Sequence, residues 1–124
     1  MVEHNKFNEF KGHDIWDDKG MMERMLGDAN LAKLIVEQFL MDSESQLNEL
    51  SDFITEGDLG MIRQRAHSVK GASANVGGEQ FREIAQAIEV AASAQNLERT
   101  RQLLPLLNES YDELRRELRN YLNT

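Results

Sequence analysis

Cysteine is missing altogether, proline occurs once, at Pro105, glycine eight times, and aromatic residues fill only 6% of the 124 positions. Without cysteine there are no disulfides, thiol nucleophiles or thiolate metal sites, which suits a reducing compartment and gives the expectation of a cytoplasmic protein. Few turn formers, with Leu, Ala, Glu, Gln and Met recurring, favour helices, and strand signals are nearly absent. Nowhere do about 18 apolar residues run together, so no membrane insertion is expected. The polar stretch from Met1 to Gly12 has no apolar core like that of a signal peptide. Bases are also in short supply, 14 against 22 acids, for a formal charge of -8. Phosphate backbones and anionic membranes repel such a chain, which excludes nucleic acid as an expected partner. The length suits one domain with a single core.

What is present reads as helices with caps. Residues 1–13 lack a sustained period and are expected to form a flexible N-terminal arm that docks Phe7 or Phe10, leaving 14–124 as a helical bundle domain. A short helix is predicted from Asp18 to Leu26, capped by Asp17 or Asp18 and ended by Gly27. Asp28 caps a second helix that runs to Glu56. Its expected apolar face comprises Leu31, Leu34, Ile35, Phe39, Leu47, Leu50, Phe53 and Ile54. Gly57 closes it. Asp58 caps a third helix to about Val76, stopped by Gly77-Gly78, and a fourth from Glu79 to about Gln95 buries Phe81, Ile84, Ala85, Ile88 and Ala92. The fifth starts near Asn96 with a seam of Leu97, Thr100, Leu104, Leu107, Tyr111, Leu114, Leu118 and Tyr121, and Pro105 inside it is expected to bend it. Short connections force antiparallel neighbours. The predicted fold is all-α, an up-and-down antiparallel four-helix bundle with a short additional N-terminal helix.

Chemistry concentrates on the third helix. Stepping about 100° per residue, Ile62, Ala66, Val69, Ser73 and Val76 form its core stripe, and His67 lies about 140° away from that line. Arg63, Lys70, Gly71 and Ala74 share the face of His67, one turn to either side. An accessible imidazole with a pKa near 6.5 keeps a free ring nitrogen at neutral pH, which makes it a nucleophile. Lys70 can bring three donors to a phosphoryl group there. Glycine inside a helix costs about 1 kcal/mol relative to alanine, so Gly71 needs a reason, and room for a partner supplies one. A surface His, a surface Lys and a helix Gly each have ordinary explanations singly. Together at these spacings they are much less an accident.

The stretch His67-Ser68-Val69-Lys70-Gly71, continuing through Ser73-Ala74-Asn75-Val76-Gly77, closely resembles the signature of histidine-containing phosphotransfer (HPt) domains of bacterial phosphorelays. The similarity runs from about Ile15 to Leu122 and includes the Leu-Gly-Asp turn at Leu26 to Asp28. The resemblance implies a phosphocarrier without kinase activity of its own. His67 would accept a phosphoryl group from a receiver aspartate and pass it to another. Lys70 takes the position of the phosphate-neutralising lysine and Gly71 that of the small residue beside the histidine. Glu89, 22 residues after His67, falls where related domains carry a Gln or Glu that bonds the other ring nitrogen, with Gln86 one turn earlier as the competing choice. A carboxylate accepting from Nδ1-H leaves the Nε2 lone pair free to attack phosphorus.

The implied partners are response-regulator receiver domains, with a hybrid sensor histidine kinase as a further candidate, and the chain is expected to be a monomer. No cofactor or metal is expected in this chain, because His4, His13 and His67 lack the i, i+4 pairing of a helical zinc site; Mg²⁺ would come from the receiver. One alternative is a chemotaxis-type domain phosphorylated by an ATP-bound kinase domain, against which counts the absence of a kinase before Thr124. Another is a helical adaptor that carries no phosphate. For docking, antiparallel pairing through Gly57-Asp58 brings residues whose numbers sum to about 114 to one level. This sets Leu40, Ser43, Glu44 and Leu47 beside Ala74, Gly71, Lys70 and His67. Leu40 with Met21, Met22 and Met25 then forms an expected apolar rim, and Arg63 adds positive charge.

Overall fold

Five helices and no strands make up residues 9–124, the part of the chain that the computed structural model describes. They are α1 (Asp18–Arg24), α2 (Ala29–Glu56), α3 (Leu59–Val76), α4 (Glu79–Ser93) and α5 (Leu97–Leu122). Aspartate and asparagine start four of them, because their side chains satisfy amides that lack helical partners, whereas α4 follows Gly78 with no side-chain cap. Asp28 accepts from Asn30 and Leu31, Asp58 from Met61, and Asn96 from Arg99. Left-handed glycines stop α2 and α3, at Gly57 (φ 80°) and Gly77 (φ 83°). α2, α3, α4 and α5 pack as an up-and-down bundle, and α1 lies against α3 and α2.

α1 is fastened at the end of the bundle where α3 turns into α4. Asp17 N donates to Gly77 O at 2.7 Å and the Trp16 indole to Val76 O at 2.8 Å. A Cβ on Gly77 would meet Asp17 O at 2.4 Å, so only glycine permits this approach. Phe10 docks in the core, its carbonyl accepting from the Gln80 side chain. Phe7 and the rest of 1–8 lie outside the described residues.

The core stripes of α3 and α4 are those read from the sequence, with Ala91 added on α4. On α2 the expectation was partly wrong. Its buried line is Ala32, Val36, Phe39, Ser43, Leu47, Leu50 and Ile54, while Leu31 and Leu34 face water. Steps of four and three from Ile54 back to Ala32 follow the helical period, and picking the largest residues at the N-terminal end missed it. On α5, Leu103 and Leu106 are buried whereas Leu97, Leu104 and Tyr121 are only half-buried. Pro105 sits on the exposed face, and α5 runs through it from Leu97 to Leu122.

Phe39, Phe81 and Tyr111 meet at the centre, with ring centroids of Phe81 and Tyr111 5.6 Å apart and of Phe39 and Phe81 6.3 Å apart. The Tyr111 hydroxyl and Ser43 Oγ share a buried hydrogen bond of 2.7 Å. Ser43, at 3% exposure, is therefore a core residue and not the docking residue expected. Ser43→Ala strands a buried phenol hydroxyl and should cost about 1–3 kcal/mol in urea denaturation. Tyr111→Phe should cost a similar amount, and the double substitution less than the sum, since no polar group is then left unpaired.

Candidate functional site

α3 and α4 run antiparallel from the turn at Gly77-Gly78, which sets His67 of α3 level with Glu89 of α4. The His67 side chain is 66% exposed, as its angle from the core stripe predicts. Its Nδ1 lies 2.9 Å from Glu89 Oε2, and Lys70 Nζ lies 2.8 Å from Glu89 Oε1. Glu89 is 19% exposed and so bridges two residues of the opposite helix with both oxygens. Gln86, the competing choice, points to solvent.

A carboxylate only accepts, so the ring proton sits on Nδ1 and the Nε2 lone pair faces outward. Burial pushes the Glu89 carboxyl up, but its bonds to Lys70 and His67 and the charges of both outweigh this and hold it below the usual range. Around the ring the surface is open. A Cβ on Gly71 would meet nothing within 4 Å, so packing does not demand glycine there. Arg63 is exposed one turn before His67, and Ala74 is half-buried. The arrangement presents an imidazole held at one ring nitrogen with the other nitrogen free, a nearby cation and clear space.

The expected docking rim is not assembled. Levels on α2 and α3 are right: Glu49 pairs with Arg65 at 2.9 Å, and a groove of about 200 Å³ brings Phe39, Asp42 and Gln46 beside Ala72, Asn75 and Val76. The azimuth is what failed. Leu40 and Glu44 lie about 60° and 100° round α2 from the middle of its buried line, and Leu47 sits at the edge of that line, all on the side of α5. Accordingly Glu44 faces Arg115 at 3.8 Å, Leu47 is buried and Leu40 is half-buried against the core. Met21 is fully buried and Met22 and Met25 are half-buried, sealing the end of the bundle near Val76. Val76 is about 14 Å along α3 from His67, too far for these methionines to ring it.

Exposed large apolar residues are instead Leu26, Leu31, Leu34, Met41 and Val90. Leu34 (62%) and Met41 (75%) lie across α2 from its buried line, and Val90 adjoins Glu89. Their positions opposite the true stripe were the signal that the sequence reading passed over. Among the described residues there is no cluster of three or more His, Asp or Glu able to hold a metal, and no helix long and apolar enough to cross a membrane.

A family model described as the Hpt domain matches residues 34–117. Among solved structures, the chain is similar to histidine-containing phosphotransfer protein B (HptB) from Pseudomonas aeruginosa PAO1, with a TM-score of 0.82 and 23% identity over 88% of this chain and 95% of that one. It is similar also to histidine-containing phosphotransfer protein MtHPt2 from Medicago truncatula, with a TM-score of 0.75 and 23% identity over 97% of this chain and 88% of that one. At these identities the likeness is one of fold. A search of curated proteins gave no significant match.

Because the folded state holds the Glu89 carboxyl below its ordinary value, about 4.3, the bridge contributes stability above that pH and loses it as pH falls through the lower folded value. Stability measured by urea midpoint from about pH 5 to about pH 3 should therefore drop more in the parent protein than in Glu89→Gln. Equal slopes in the two would mean that the bridge does not form in solution.

Proposed function

The chain belongs to the Hpt domain family, and on that premise we propose that it takes a phosphoryl group from the aspartyl phosphate of one receiver domain onto His67 Nε2 and passes it to the aspartate of another. The observation that carries this reading is the Glu89 bridge to Nδ1 of an exposed His67, which leaves Nε2 as the one free ring nitrogen. Attack by its lone pair forms the N–P bond while the P–O bond of the acyl phosphate breaks, its electron pair remaining on the donor aspartate. Transfer onward is the same step reversed on a new carboxylate. Lys70, tied to Glu89, and Arg63 supply positive charge on this face. The Mg²⁺ that such chemistry uses belongs to the receiver's acidic pocket.

Docking centres on the open face of α3 at His67 and Gly71 and extends over the groove toward α2, where Gln38, Asp42, Gln46 and Asn75 line the polar part. Of the outward apolar residues of α2, Met41 takes the place of Leu40 in this reading. The flat exposure of Gly71 admits a partner's active-site loop to the ring.

The test is to incubate the protein with a receiver charged with labelled acetyl phosphate. Label lost in acid and retained in base identifies phosphohistidine, and His67→Gln should abolish it with the helical circular dichroism unchanged. A mutant that still accepts label overturns the assignment. Gly71→Leu should slow transfer by about 10- to 100-fold, since displacement of the reacting groups by as little as about 1 Å has that effect. Its thermal stability should be unchanged or slightly raised, because nothing packs at that position and leucine is the better helix former.

A further inference from the structure

Four serine and threonine side chains are buried in the bundle, and three of them have partners. Ser43 bonds to Tyr111, Ser73 donates to Lys70 O at 2.9 Å and Thr100 to Leu97 O at 2.6 Å. Ser110, at 2% exposure, bonds to nothing among the described residues. A helical serine has a carbonyl of the preceding turn within reach, and leaving a buried hydroxyl without any partner is costly. The exception asks what else could pair with it.

Ser110 lines a cavity of about 330 Å³ between α4, α5 and the segment that precedes α1. Phe10, Ile84 and Leu106, all buried, form its apolar floor. Along α5 the lining residues Leu106, Glu109, Ser110 and Glu113 share one face, on which Glu109 and Glu113, four apart, are neighbours. Both glutamates are exposed, so their longer side chains carry the carboxylates outward past Ser110 to the mouth. Lys11 and His13, also exposed, stand at the mouth on the segment opposite. On α4, the lining residues Gln80 and Ile84 lie about 180° and 140° round from Glu89, so the cavity opens on a different face from the His67 site.

We propose that this cavity binds a small hydroxylated aromatic amine, its ring on the apolar floor, its hydroxyl on Ser110 and its ammonium between Glu109 and Glu113. The inference is independent of the reading of His67. Each part of the ligand follows from the wall that meets it. The volume lies at the lower end of the range of small-molecule sites, about 300–1,000 Å³, which suits a single ring better than a peptide or a lipid chain. Phe10, Ile84 and Leu106 offer that ring no polar atom of a side chain. A serine hydroxyl both donates and accepts, so a ring hydroxyl satisfies it in either sense. Carboxylates only accept, and two of them side by side select a cation and reject an acid. Lys11 decides between two sources of the amine, because an α-carboxylate beside the ammonium, as in an amino acid, would pair with it, whereas a simple amine would leave it unused.

The experiment titrates the full chain with tyramine, phenethylamine, tyrosine and hydroxyphenylpropionate, followed by calorimetry and by ¹H–¹⁵N amide spectra. Tyramine should bind and shift the amides of Ile84, Leu106 and Ser110 while leaving those of His67 to Gly71 in place. Phenethylamine, which lacks the hydroxyl, should bind about tenfold more weakly. Ser110→Ala should erase that difference and melt no lower than the parent, since it removes a buried hydroxyl that has no partner. Hydroxyphenylpropionate, with the ring and hydroxyl but no ammonium, should not bind, and the double variant Glu109→Gln, Glu113→Gln should weaken tyramine by about tenfold or more. Tyrosine separates the two sources: binding tighter than that of tyramine and reduced to its level in Lys11→Met identifies an amino acid, and weaker binding a simple amine. Absence of amide shifts at the cavity with both tyramine and tyrosine overturns the proposal. So does binding of hydroxyphenylpropionate as tight as that of tyramine, or tyramine binding that neither Ser110→Ala nor the double variant alters.

Discussion

The contact on which the site depends is the double hold of Glu89 on His67 and Lys70, and that contact depends in turn on a two-residue turn. Gly77 and Gly78 leave α3 and α4 no freedom of register, so positions equidistant from the turn meet across the interface. Lys70 and His67 lie one helical turn apart on α3, the spacing at which one carboxylate from a facing helix can reach both. The end segment reinforces the register by bonding Trp16 and Asp17 to Val76 and Gly77 and the Asp14 carbonyl to Gln80, at the point where a slip of α4 would have to begin.

Much of this was legible in the sequence because helices report their own geometry. Asp28, Asp58 and Asn96 announce the starts, Gly57 and Gly77 the stops, and Ile62, Ala66, Val69, Ser73 and Val76 fix the azimuth of α3 and with it the outward aim of His67. Relations between helices are less legible. Chain connection gives the level at which two helices pair, as Glu49 with Arg65 confirms, but not which side of each faces the other. That is why Glu44 and Leu47, placed beside His67 by level, turn out to face α5. On α2 the small residues Ala32, Val36 and Ser43 hold core places beside the larger Leu31 and Leu34, and volume misled where phase would not have. Glu89 was reached through its family position, since its own helix offered Gln86 equally well.

The core explains why such a platform stays still. Phe39, Phe81 and Tyr111 draw α2, α4 and α5 together, and the bond of Ser43 to Tyr111 fixes the angle of the ring within that cluster. α3 is packed on one side only, by Ile62, Ala66, Val69, Ser73 and Val76, and its other side carries no large apolar residue. The helix therefore contributes to folding through one stripe and leaves the rest of its circumference for chemistry. A bare helix face is what a second active site must approach, and Gly71 clears it further.

Charge poses the remaining constraint on the proposed function, since a chain with a formal charge of -8 would there have to accommodate a phosphoryl group of about two negative charges. Distance decides the matter. Screening at physiological salt acts over about 8 Å, so acids dispersed over α2 and α5 contribute little at His67, whereas groups within one helical turn count nearly in full. At that range stand Lys70 and Arg63 against Glu89, and Glu89 is itself neutralised by Lys70 on one oxygen and by the ring proton on the other. The local field is therefore not that of the whole molecule: the chain as a whole is acidic, while under the proposed function the few ångströms about Nε2 would remain hospitable to one phosphoryl group.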